Sequence, residues 1–136
     1  MKKIISALIV ISLLSACKSS RSSSSYILEQ HKWILSELNG NPVQMSNTDK
    51  DAHLQFTYKD MRITGSGGCN TIAGTFTSTR NKLFFGPVLS TKMACENMKF
   101  EDTFLQALAQ TNRYELTAHE LVLKNNNQVI ARLLPR

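Results

Sequence analysis

The chain has 136 residues, 15.2 kDa, of which 42% are apolar, 19% charged and 7% aromatic. This length holds one domain of ordinary size, and the apolar fraction fits neither a disordered chain nor a multi-span membrane protein. Sixteen Lys and Arg against ten Asp and Glu give a net charge of +6. Lys2 and Lys3 lie in an N-terminal leader, and Lys18 and Arg21 in a serine-rich segment. From Tyr26 onward twelve basic residues face ten acidic ones, a scattered +2. That balance leaves no electrostatic footprint for nucleic acid.

Met1-Lys2-Lys3 is a basic start, and Ile4 to Leu14 is apolar apart from Ser6 and Ser12. The run is too short to span a bilayer, which takes about 20 helical residues. With small residues at its end, residues 1–16 read as a secretory signal peptide. Leu14-Ser15-Ala16-Cys17 resembles the lipobox of bacterial lipoproteins. That resemblance implies that Cys17 becomes the mature N-terminus, carrying lipid on its sulfur and amine, with the membrane as a partner. Several acyl chains anchor stably where one is marginal. Lys18 to Ser25, KSSRSSSS, has nothing to bury and is expected to be a disordered tether of roughly 15 Å. Lys18 after the cysteine points to the outer membrane.

From Tyr26 to Arg136 the period-2 pattern of strands dominates. Trp33–Leu38 is predicted as a strand ended by the turn dipeptide Asn39-Gly40. Leu54, Phe56 and Tyr58 share one face of His53–Tyr58, Lys59-Asp60 turns the chain, and Met61–Thr64 returns it. Ile72–Thr77 and Leu83–Phe85 pair around Ser78–Asn81. Val88-Leu89 follows Pro87, which confines it to an edge or a strand start. Arg113–Thr117, Glu120–Lys124 and Gln128–Leu134 complete about eight strands, the last two joined by Asn125-Asn126-Asn127. In residues 96–110, Phe100, Phe104, Ala107 and Leu108 recur at helical spacing, and Asn112 is placed as a left-handed stop. The expected fold is α+β: a mainly antiparallel, barrel-like sheet with one packed amphipathic helix.

Cys69 and Cys95 are the cysteines left after Cys17. A bridge between them would contribute roughly 3.5 kcal/mol by loop closure; the alternative is two buried thiols. Gly65-Ser66-Gly67-Gly68 lacks the first glycine of a nucleophile elbow and the Lys-Ser/Thr of a phosphate loop. It reads as a bulge or close strand crossing.

Gly67–Phe76 (GGCNTIAGTF), Leu89–Glu96 (LSTKMACE) and the following helix with Phe104 and Leu108 together resemble the META domain family. The resemblance spans Trp33 to Leu134. It implies a small β domain with one packed helix, an envelope location, an association with stress tolerance and no established catalysis. Cys69 and Cys95 match the family's cysteine positions. Gly67, Gly68, Asn70 and Gly74 fall in its turn motif.

No catalytic site, metal site or cofactor is expected. His31, His53 and His119 have no metal-ligand neighbours at close spacing. Cys95, before the helix, is the best-placed nucleophile but needs a free thiol. Glu96, Glu101 and Asp102 read as a solvated face, and Met93, Met98 and Phe100 as core. The functional expectation is a lipid-anchored envelope module binding a protein partner. A second reading is an inhibitor of a secreted metalloprotease or lysozyme, with residues 18–31 as an arm in the enzyme's cleft.

Overall fold

A computed structural model describes residues 23–136; the predicted signal peptide and Cys17 lie outside them, as do Lys18 to Ser22 of the tether. Ten strands and two helices follow in the order α1 (Ser23–Gln30), β1 (Trp33–Leu38), β2 (Asn41–Pro42), β3 (His53–Thr57), β4 (Arg62–Ser66), β5 (Thr71–Thr79), β6 (Lys82–Phe85), β7 (Leu89–Ser90), α2 (Met98–Gln110), β8 (Arg113–Leu116), β9 (Leu121–Asn125) and β10 (Gln128–Pro135). The main sheet runs β6-β5-β4-β3-β1-β10-β9-β8, every pairing antiparallel, with β2 beside β1 and β7 beside β5. Its two edges nearly meet. The Tyr114 amide donates to the Asn81 carbonyl at 3.0 Å and the Leu83 amide to that of Asn112 at 3.4 Å. The α+β expectation holds, with a nearly closed barrel.

Strict alternation builds the interior. Leu54 and Phe56 on β3, Ile63 on β4 and Ile72 and Phe76 on β5 all point inward and are buried. Phe76 receives both Phe56 and Tyr58 edge-on, at centroid distances of 5.1 and 5.0 Å, the geometry that ring quadrupoles favour. Asn39 and Gly40, with φ of 50° and 79°, form the expected tight turn. Asn126 takes the left-handed backbone between β9 and β10, at φ 54°.

Helix α2 lies against β6 and β9 and buries Phe104, Ala107 and Leu108. It starts at Met98, so Glu96 stands outside it, exposed. Asn112 is not the left-handed stop: the helix ends on Thr111, whose backbone is extended and whose hydroxyl donates to the Ala107 carbonyl at 2.8 Å. The Asn112 side chain instead ties the β9–β10 turn, accepting from the Asn126 amide at 2.7 Å.

The tether is shorter than the serine run suggests. Ser23 to Ser25 belong to α1, because the helix they open is pinned by tertiary contacts. Leu28 is fully buried, its carbonyl accepts from the Trp33 indole at 3.0 Å, and Glu29 accepts from the Tyr58 amide at 2.6 Å. An eight-residue helix is marginal alone. Leu28→Ala is expected to cost about 3 kcal/mol, read by urea unfolding through Trp33, the chain's single tryptophan. A cost near zero would return α1 to the tether.

Candidate functional site

The glycine turn and the start of α2 meet at a buried carboxylate. Glu101 is 2% exposed, although the acidic run around it reads as a solvated face; this corrects the expectation. Its Oε1 accepts from Ser90 Oγ at 2.6 Å and Asn70 Nδ2 at 3.0 Å, and its Oε2 from the Asn70 amide at 2.8 Å. Asn70, fully buried, also accepts at Oδ1 from the Met93 amide at 2.7 Å and Thr91 Oγ1 at 3.0 Å. Three segments distant in sequence are thereby joined around one charge. Burial pushes the Glu101 carboxyl up, but the bonds from Ser90, Asn70 and the Cys69 backbone outweigh it and hold the group below its ordinary 4.5.

The glycines make room for this arrangement. A Cβ on Gly67 would stand 2.6 Å from Glu101 Cγ, and Gly68 adopts φ 102° with Phe100 above it. Gly74 lies farther along β5, against Val88. Asn70, Gly67 and Gly68 are thus brought together with Glu101, and Gly74 is not. Cys69 and Cys95 are at disulfide distance, their Cα atoms 6.3 Å apart, tying the turn to the segment before α2. Met93 and Met98 are not core: they are 59% and 37% exposed, Met93 because the chain from Thr91 to Asn97 runs outside the sheet and Met98 because it opens α2 ahead of its buried residues. Glu101 was legible after all. It stands three and seven positions before Phe104 and Leu108, on the same helical face.

Beside this knot opens a cleft of about 710 Å3 between the Pro42–Ala52 segment and the N-terminal turn of α2. Leu35, Leu38 and Ala52, all buried, form part of its wall, with Val43, Phe100 and the Cys69–Cys95 pair. Lys50 lines it from the loop and Lys99 from the helix. Its carboxylate, Asp51, accepts from the Ser46 hydroxyl and amide at 2.6 and 2.7 Å and faces Arg136 at 3.4 Å. The Ser46 bonds chiefly, with Arg136 adding, hold Asp51 down at about 2. The volume falls within the usual range of small-molecule sites, about 300–1,000 Å3.

The histidines do not converge on the cleft. His53 is buried, Nδ1 against the Asp51 carbonyl at 2.7 Å, and burial lowers its pKa. His31 stacks edge-on against Trp33 at 5.5 Å. Among the described residues no three His, Cys, Asp or Glu side chains gather as a metal-ligand group.

The META domain model matches residues 27–135. The chain belongs to the META domain family. No curated protein matches it. Among solved structures it is similar to a protein determined by NMR, at 26% identity and TM-score 0.61, covering 79% of this chain and 91% of that one. A second NMR structure, from Burkholderia xenovorans, has 19% identity and TM-score 0.65 over 100% and 99% of the two chains. A DUF4847 family protein from Bacteroides vulgatus has 15% identity and TM-score 0.60 over 82% and 96%. The last two share the fold.

Three measurements check this geometry. Glu101→Gln turns an acceptor-only group into one that presents an NH2 to its donors, and is expected to cost about 2 kcal/mol. Because the folded pKa values of Glu101 and Asp51 are depressed, their contribution is complete above about pH 5 and is lost as pH falls through those values. Stability therefore declines between pH 5 and 2, and less steeply in the Glu101→Gln chain. Reduction of the Cys69–Cys95 pair is expected to remove about 3.5 kcal/mol. Labelling of either thiol by alkylation in the unreduced folded protein would show the pair unbridged.

Proposed function

We propose that this META domain is a non-catalytic binding module of the bacterial envelope, associated with stress protection. It is held at the outer membrane by lipid on Cys17, and its cleft beside the Cys69–Cys95 pair is the binding site. The cleft carries this reading: a concave site with an apolar wall and cations on two sides is equipped to bind. The leader and Leu14-Ser15-Ala16-Cys17 support export and lipidation. A disulfide suits an oxidising compartment and takes Cys95 out of thiolate chemistry. His53, committed to a backbone carbonyl, is a poor general base. Residues 23–31 make an unsuitable inhibitory arm, since Leu28 and Glu29 are engaged with the barrel.

Two experiments test the proposal in native cells. Cells grown with labelled palmitate are expected to label the native protein and not the Cys17→Ser chain; an unlabelled native protein, or equal label on both, would overturn the anchor. A photo-crosslinking side chain at Met45, on the cleft, is expected to give a discrete adduct that one at Asn127, in the β9–β10 turn, does not. Equal labelling from both positions would overturn the cleft as the site.

A further inference from the structure

The cleft is amphipathic in a particular way. Its apolar residues come from both walls, Leu38 and Val43 on one side and Phe100 on the other. Cys69, Cys95 and Gly68 continue the same surface, and Asn41, Gln44 and Asn97 add amide groups to it. The charged residues in its lining are Lys50, Lys99 and Asp51. Asp51 is not available to a ligand cation, because Ser46 occupies one carboxylate oxygen and Arg136 faces the other. Neither Lys50 nor Lys99 has an ion-pair partner among the described residues. Two lysines without an ion-pair partner among the described residues thus line a partly apolar trough, one from each wall.

From this geometry we infer that the cleft binds a single-chain amphiphile with an anionic head, the chain lying along Leu38, Val43 and Phe100 and the head group held between Lys50 and Lys99. The inference rests on the cleft being the binding site and adds the chemistry of what fills it. A purely polar anion would leave the trough wet and unoccupied. A cationic amphiphile would meet two like charges and no free carboxylate. An uncharged chain would bury its length and leave both ammonium groups unpaired. The head is a carboxylate or a phosphate monoester, since either accepts charge-assisted bonds from two lysines. Met45, 37% exposed at the cleft, is a flexible apolar side chain able to adapt to chains of different length.

The test titrates laurate, below its micelle concentration, into the mature chain from residue 17 with Cys17→Ser, which carries neither the apolar leader nor lipid. Dodecyl phosphate, dodecyltrimethylammonium and acetate are titrated in parallel by calorimetry. Laurate or dodecyl phosphate is expected to bind one-to-one, and whichever is tighter identifies a fatty acid or a phospholipid-derived source. Dodecyltrimethylammonium is expected to bind at least about tenfold more weakly, and acetate not at all. The Lys50→Gln/Lys99→Gln chain should bind the anion at least about tenfold more weakly, the contribution of one charge-assisted bond. Both lysines are exposed, so this variant folds, and the urea midpoint read at Trp33 confirms it. Equal binding of the cationic amphiphile, undiminished binding by the double variant, or no binding of either anion would overturn the inference. A Met45 adduct in cells together with no amphiphile binding would overturn the ligand class alone and leave the binding module standing.

Discussion

One buried carboxylate, that of Glu101, is bonded at once to the β4–β5 turn through Asn70 and to β7 through Ser90. A charge without a cation partner survives at 2% exposure only where dipoles satisfy its oxygens. Here the Asn70 amide and side chain and the Ser90 hydroxyl do so. The Asn70 side chain then passes the constraint on to Met93 and Thr91. The surrounding features follow from this requirement. Gly67 carries no Cβ because Glu101 occupies that space, and Gly68 takes a positive φ so that the turn can face the helix. The helix is set at its first turn, and Phe104, Ala107 and Leu108 then enter the barrel in register.

The same anchoring makes the cleft. The Cys69–Cys95 pair and the Asn70–Glu101 bonds fix the N-terminal turn of α2 at a set distance from the barrel. The Pro42–Ala52 segment is held on the other side by β2, by Leu35 donating to the Ala52 carbonyl at 2.8 Å and by the Ser46–Asp51 bonds. Asp51 also reaches Arg136, the last residue of the chain. A carboxylate spent in this way shapes the loop and leaves Lys50 and Lys99 as the lining charges without an ion-pair partner among the described residues. Polar bonds settle the position of both walls, and apolar and polar side chains share their surface. Such a division suits a site that must keep its shape while empty.

Much of the barrel was legible because strands announce themselves locally. His53–Thr57 alternates cleanly, Asn39-Gly40 can make only a few turns, and three asparagines before Gln128 permit the left-handed step between β9 and β10. The two-residue strand β2 was not separable from loop, since so short a pairing depends on a neighbour and not on its own pattern, while Pro87 marked β7 as a strand start or edge. Helix α1 was hidden for the same reason. A serine run has weak helical preference, and only the burial of Leu28 and the bonds of its carbonyl and Glu29 to Trp33 and Tyr58 select that state. Met93 and Met98 read as core by composition and are exposed, because methionine fits either setting.

The sequence by itself determined the β-rich class, the position of α2 and the membership signalled by the glycine turn and the second cysteine motif. Each of these is encoded in residues close along the chain, where sterics, periodicity and small-residue spacing act. Tertiary structure alone decided that Asn70 is the partner of Glu101, and that Lys50 and Lys99 line one cleft from separate walls. Burial and electrostatic pairing are properties of neighbours in space. Residues 31 positions apart, as Asn70 and Glu101 are, become neighbours only when the sheet closes and the helix is laid against it.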